Sequence, residues 1–358
     1  MTDKRGISAA TTEWLAHAET KGDNDDVLRD RMLDALIANT ACVVTTAKVF
    51  KALADQCQDA TTRRHLTEHS PILSQALCGV LQRTLDDLSR LSSSSAAAER
   101  AEHVILLVQA LRCMGNVSAD NDAARGQLLA HGGVGSIAAV LSVAEVQTEP
   151  LLARAAFGAA LNVALDHAEC RRALLAGDAL QAHLQVLGRG RPCDVWGLVC
   201  MSLDSLCEHD DASAQFAKHA DYMASVLRTL GVLSRQASGA EEEQGSLVRG
   251  AMRTLVWVLC EAVEKSADVR RQLCTPSAVL AVFDLLDFYL TAPKEEKEEE
   301  ESDDDDVAPP APLPNRPIPQ PAANRYADAV TQAIVAVSGE DAALTTLFPS
   351  QELMNRLV

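Results

Sequence analysis

A chain of 358 residues, 47% of them hydrophobic, can bury a sizeable core, yet only 3% are aromatic and β-branched runs bounded by turn residues are scarce. That balance points to helices and away from sheets. The net charge of −18 argues against nonspecific binding to nucleic acid or anionic lipid and makes a basic partner the natural complement.

In chain order, residues 1–25 read as an N-terminal cap or flexible segment. They hold no apolar core of signal-peptide length, and no later segment offers about 18 uninterrupted apolar residues. The ten cysteines include no CxxC pair and sit mostly among apolar helix residues, as buried thiols do in a reducing compartment. The expected location is the cytoplasm, with no direct membrane insertion.

Asp26 to Val44 resembles the second helix of a partial unit. "TTAKVFKALADQCQD", "ATTRRHLTEHSP" and "ILSQALCGVLQRTLDDL" supply the next three helices. The period is sharpest downstream, where "DNDAARGQLLAHGG" predicts a short helix capped by Asp120 or Asn121, "VGSIAAVLSV" a second helix, and "EPLLARAAFGAALNVALD" a third with Pro150 in its first turn. Asn116, Arg125 and Leu128 recur 46 residues later as Asn162, Arg171 and Leu174.

The same order continues through "HAECRRALLAGD", "ALQAHLQVLG", "CDVWGLVCMSLDSLCEHD", "DASAQFAKHAD", "YMASVLRTLGVLS" and "GSLVRGAMRTLVWVLCEAVE". Three helices per unit is the armadillo arrangement. The expected fold is therefore all-α, a right-handed superhelical armadillo-repeat solenoid over residues 26–291. Insertions fall between second and third helices, the edge where a solenoid tolerates them. The longest, 292–323, joins a run of like charge to a proline-rich stretch and is expected to be a disordered acidic and proline-rich loop. Residues 324–358 read as a C-terminal repeat or cap.

Third helices line the concave side of such a solenoid. With the register set by Leu128, Leu174, Phe216 and Leu273 of the following short helices, one position near each third-helix end reads Asp55, Asn116, Asn162, Asp204, Glu261 and Ala336. Five of the six carry a side-chain oxygen, which can accept hydrogen bonds from a basic or extended segment. Asn and Asp also serve to close helix ends, and Arg125, Arg171 and Arg270 are expected to bond helix ends or neighbouring acids.

Enzyme signatures fail. "HLTEH" places His65 and His69 at zinc-compatible spacing, but Leu66 stands where a metalloprotease needs Glu. "HGGVGS" and "GRGRP" follow no strand and lack the Lys-Ser or Lys-Thr of a phosphate loop. Cys200 and Cys207 read as one buried helical face. No catalytic constellation, metal site or cofactor is expected.

The pattern "GN…DN…R…L…GG" in "LRCMGNVSADNDAARGQLLAHGGVGSIAAVL" resembles the armadillo-type GDP dissociation stimulators of small GTPases, the SmgGDS family, most specifically over Val104 to Leu187. The resemblance implies a non-enzymatic protein that binds Rho- or Rap-like GTPases with basic, prenylated tails, releases GDP or chaperones the lipidated tail. The partner-binding residues are then Asp55, Asn116, Asn162, Asp204 and Glu261. Alternatives are an importin-alpha-like cargo adaptor, a co-chaperone of the cytosolic heat-shock ATPase, and a general scaffold. The adaptor pattern pairs each Asn with Trp four residues earlier, and here only Trp257 before Glu261 does so.

Overall fold

Apolar residues at three- and four-residue spacing wind into helices in the predicted order. The computed structural model describes residues 42–69, 72–91, 97–189, 195–207, 210–237 and 242–273. Within them lie α1 (Val43–Gln56), α2 (Ala60–His69), α3 (Ile72–Arg90), α4 (Ala97–Ser118), α5 (Asp122–Ala130), α6 (Gly133–Leu141) and α7 (Pro150–Ala164). They continue as α8 (Ala168–Ala176), α9 (Ala179–Gly188), α10 (Trp196–Cys207), α11 (Asp210–Lys218), α12 (Ala220–Ala237), α13 (Glu242–Lys265) and α14 (Ala267–Leu273). No strand occurs among the described residues. The segments 1–25, 292–323 and 324–358, and all but the end of Asp26 to Val44, lie outside them.

The chain divides within α11 into two units, one ending at Gln215 and one starting at Phe216. In the first, helices of one kind stack on their own kind. Third helices run α1 on α4, α4 on α7 and α7 on α10, second helices α3 on α6 and α6 on α9, and short helix α5 on α8. This is a three-helix, armadillo-type repeat, in which each unit buries its apolar faces on its neighbours. In the second unit α12 packs on α13, and α14 on both. The register residues Leu128, Leu174, Phe216 and Leu273 are all buried.

Two devices of sequence set the helix ends. Asp59, Asn121, His167 and Ser266 each accept a backbone N–H three residues on, from Thr62, Ala124, Cys170 and Val269, and so cap four of the short helices, α2, α5, α8 and α14. Of the two candidates at α5, Asn121 is the cap, because Asp120 takes a left-handed turn at φ 49°. Gly132, at φ 77°, and Asp178, at φ 60°, occupy the matching turns before α6 and α9.

Third helices approach closely where side chains are small. A Cβ on Gly115 of α4 would stand 3.2 Å from the Cα of Ala159 in α7. That contact brings the two helix ends within reach of each other's backbone.

Candidate partner-binding face

A helix leaves its last four carbonyls without intrahelical partners, and burying them unpaired is costly. The third helices solve this with arginine. Four residues after each short-helix cap stand Arg63, Arg125, Arg171 and Arg270. Arg63 Nη1 donates to the carbonyls of Cys57 and Gln58 at 3.2 and 2.9 Å. Arg171 Nη1 reaches Ala164 at 3.0 Å, and Arg270 Nη1 reaches Val263 at 2.8 Å. Arg125 turns to the next unit, donating Nε–H to the Asn162 carbonyl at 2.9 Å while Asp122 holds its Nη1 at 2.7 Å. Cationic groups at helix C-termini also favour the macrodipole. The structural role expected of Arg125, Arg171 and Arg270 is what these bonds describe, and Arg63 is a fourth member, recognisable by its spacing from Asp59.

The ladder divides into two kinds of residue. Asn116 donates its amide N–H to the Ala54 carbonyl of α1 at 2.8 Å, and Asn162 donates to the Gly115 carbonyl of α4 at 3.0 Å. Each acceptor is the residue just before the preceding ladder position, and each is a small residue. The two asparagines therefore tie adjacent third helices together. Asp204 and Glu261 have no N–H to donate and cannot make that bond.

Asp55 accepts from Lys51 Nζ at 2.7 Å and from Arg112 Nη2 of α4 at 2.9 Å. Partial burial pushes its carboxyl up, but hydrogen bonds and charge from Lys51 and Arg112 outweigh that and leave it below the usual carboxylate range. Glu261, half-buried on α13, pairs with Lys265 one turn on at 2.8 Å. Asp204 is half-buried and is the one charged residue of α10. Ala336 lies outside the described residues.

One row escapes sequence reasoning altogether. The exposed large apolar side chains among the described residues are Val44 at 45%, Ile105 at 54% and Leu151 at 72%. Each stands eleven residues before a ladder position, on the same helix face as Asp55, Asn116 and Asn162. Between the apolar row and the ladder, the exposed or half-buried charged residues are Lys48, Lys51, Arg112 and Arg154, all cationic.

Chemistry of the nucleophilic kind finds little support in the thiols. Burial pushes Cys78 up to about 12, Cys170 to about 11 and Cys260 to about 12, so they stay protonated at neutral pH. Among the described residues no three His, Cys, Asp or Glu side chains gather to hold a metal ion, and no helix is long and apolar enough to cross a membrane.

No family model and no curated protein matches the chain. Among solved structures, a designed armadillo repeat protein in complex with the peptide (KR)4 is 14% identical, with a TM-score of 0.45 over 91% of this chain and 99% of its own. An engineered protein is 12% identical, with a TM-score of 0.44 over 93% and 100%. A second engineered protein is 11% identical, with a TM-score of 0.45 over 86% and 96%. The repeat architecture described above rests on the chain's own helix order and packing.

Proposed function

We propose that the chain is a non-catalytic armadillo-type solenoid that binds a small GTPase of the Rho or Rap type, stimulating GDP release or chaperoning the GTPase with its basic, prenylated tail. The observation that supports a binding role is the strip of equivalent third-helix positions left open on α1, α4 and α7, a repeated surface that the core does not use. The partner class comes from the sequence resemblance over Val104 to Leu187.

Within this reading the tail is met by oxygens. Asn116 and Asn162 use their N–H groups on neighbouring helices and retain side-chain acceptors, while Asp55, Asp204 and Glu261 contribute carboxylates. Asp55 is matched by Lys51 and Arg112 and Glu261 by Lys265, so a basic tail competes with these cations for both carboxylates.

The test is release of fluorescent GDP from purified Rho, Rac and Rap proteins, each with and without its basic tail, across a salt series, with the cytosolic heat-shock ATPase as outgroup. Tail-dependent, salt-sensitive acceleration supports the stimulator reading. Salt-sensitive binding without acceleration supports a chaperone or scaffold. Absence of GTPase binding overturns the partner class and leaves the adaptor and co-chaperone readings.

A further inference from the structure

The −18 charge of the chain does not describe every surface of it. Residues 292–323 alone hold ten acidic side chains against three basic ones. Between the apolar row and the ladder positions of α1, α4 and α7 the balance reverses. Lys48 and Lys51 are exposed on α1, Arg112 is half-buried on α4 and Arg154 is exposed on α7, and the carboxylate set among them, Asp55, is already bonded to two of these cations. At physiological ionic strength charges beyond about 8 Å are largely screened, so a bound segment feels chiefly the charges beside it.

Alongside the cations runs the apolar row of Val44, Ile105 and Leu151. Its three members stand on three successively packed helices, at the same register in each. An exposed isoleucine or leucine is ordinary when it stands singly; three aligned on one face of adjoining helices form a surface suited to a partner. Packed helices stand roughly 8–10 Å apart, and a polyproline II strand advances about 9 Å in each three-residue turn. A strand crossing the helices thus offers one side chain to the apolar row from every third residue, and the residues between can face the lysines and Arg112.

We propose that the α1–α4–α7 face binds an extended partner segment in which a large apolar residue recurs every third position with acidic residues between. This rests on reading the third-helix face as a binding surface, and not on the GTPase class. Asp55, Asn116 and Asn162 lie on this same face, so the acidic segment and a basic tail would compete for it.

The experiment is fluorescence anisotropy of a fluorescein-labelled (Leu-Glu-Glu)4 peptide with the full chain, against (Leu-Lys-Lys)4 and (Gly-Glu-Glu)4 controls, over a salt series. Expected is saturable binding of the Leu-Glu-Glu peptide that weakens with salt and falls by about tenfold or more in Ile105→Ser with Leu151→Ser, and likewise in Lys48→Glu with Lys51→Glu. Asp55→Asn, which releases Lys51 and Arg112, is expected to tighten binding, a gain that misfolding cannot produce. Equal affinity for the lysine or glycine peptide, or affinities unmoved by these substitutions, would overturn the proposal. Nucleotide release is not the readout, so a chain that captures the acidic peptide but no GTPase loses the partner class and keeps this surface.

Discussion

Asn162 donates its side-chain N–H to the Gly115 carbonyl across 3.0 Å, and thereby joins the C-terminal end of α7 to that of α4. The relation repeats one unit upstream between Asn116 and Ala54 at 2.8 Å. Gly115 and Ala54 lie among the last four residues with unpaired carbonyls, and their small side chains let the amide approach. A residue that sequence alone reads equally as a partner contact or a helix closure is, at these two positions, bonded as a closure.

Arg125 shares a residue with that clamp, since its Nε–H donates to the Asn162 carbonyl while its guanidinium is almost wholly buried. Arg125→Ala leaves the carbonyl of a half-buried residue and Asp122 without their donor, and is expected to cost about 2–3 kcal/mol of unfolding free energy in urea titration. Combined with Asn162→Ala, the losses should fall short of or exceed simple addition by more than about 0.5 kcal/mol, because both groups act on one helix end. Strict additivity would place them in separate networks.

Glycines near the start of α6 are not equivalent. A Cβ on Gly133 would lie 2.5 Å from Cys78 Sγ and 2.8 Å from Met114 Cε, whereas one on Gly135 meets nothing within 4 Å. Gly133→Ala is expected to lower stability by about 1–3 kcal/mol through overpacking. Gly135→Ala should be neutral or raise it by up to about 1 kcal/mol, as Ala does at an open helix position. The two urea midpoints, measured side by side, check the contrast.

His183 is buried in α9 with both ring nitrogens engaged. Nδ1–H donates to the Ala179 carbonyl at 2.6 Å, so Nε2 accepts from the Ser202 hydroxyl of α10 at 2.9 Å, and the ring meets Phe157 edge-on at 4.7 Å. Burial pushes its pKa down to about 4 despite the carbonyl bond. The folded state therefore binds fewer protons than the unfolded chain between pH 6.5 and about 4. The stability this neutral imidazole provides is fully present above the unfolded pKa and is lost as pH falls through that window, at up to about 1.4 kcal/mol per pH unit. Replacing the pair with His183→Leu and Ser202→Ala should flatten that part of the pH profile; an unchanged slope would assign the pH dependence elsewhere.

Helix order and kind were legible because the recurrence of Arg, Leu and small turn residues reports the repeat directly, and Leu128, Leu174, Phe216 and Leu273 are buried as that register requires. Helix bounds were less so. α3 runs on to Arg90 and α4 begins at Ala97, taking in residues that a composition of Ser and Ala marks as insertion. The direction of the Asn116 and Asn162 amides was not legible, because each acceptor lies a full unit away and a backbone carbonyl carries no residue identity. The positive strip escaped for a related reason. Lys48, Lys51, Arg112 and Arg154 are scattered in sequence and gathered only by the stacking of α1, α4 and α7, so a charge sum over the chain hides them.

Equilibrium unfolding of Asn116→Ala with Asn162→Ala, against wild type, tests most directly the claim that the asparagines hold the repeats together. Two hydrogen bonds to helix-end carbonyls are removed, and a stability loss of about 2–3 kcal/mol with unchanged helicity at rest is the predicted result. A urea midpoint equal to that of wild type would contradict it.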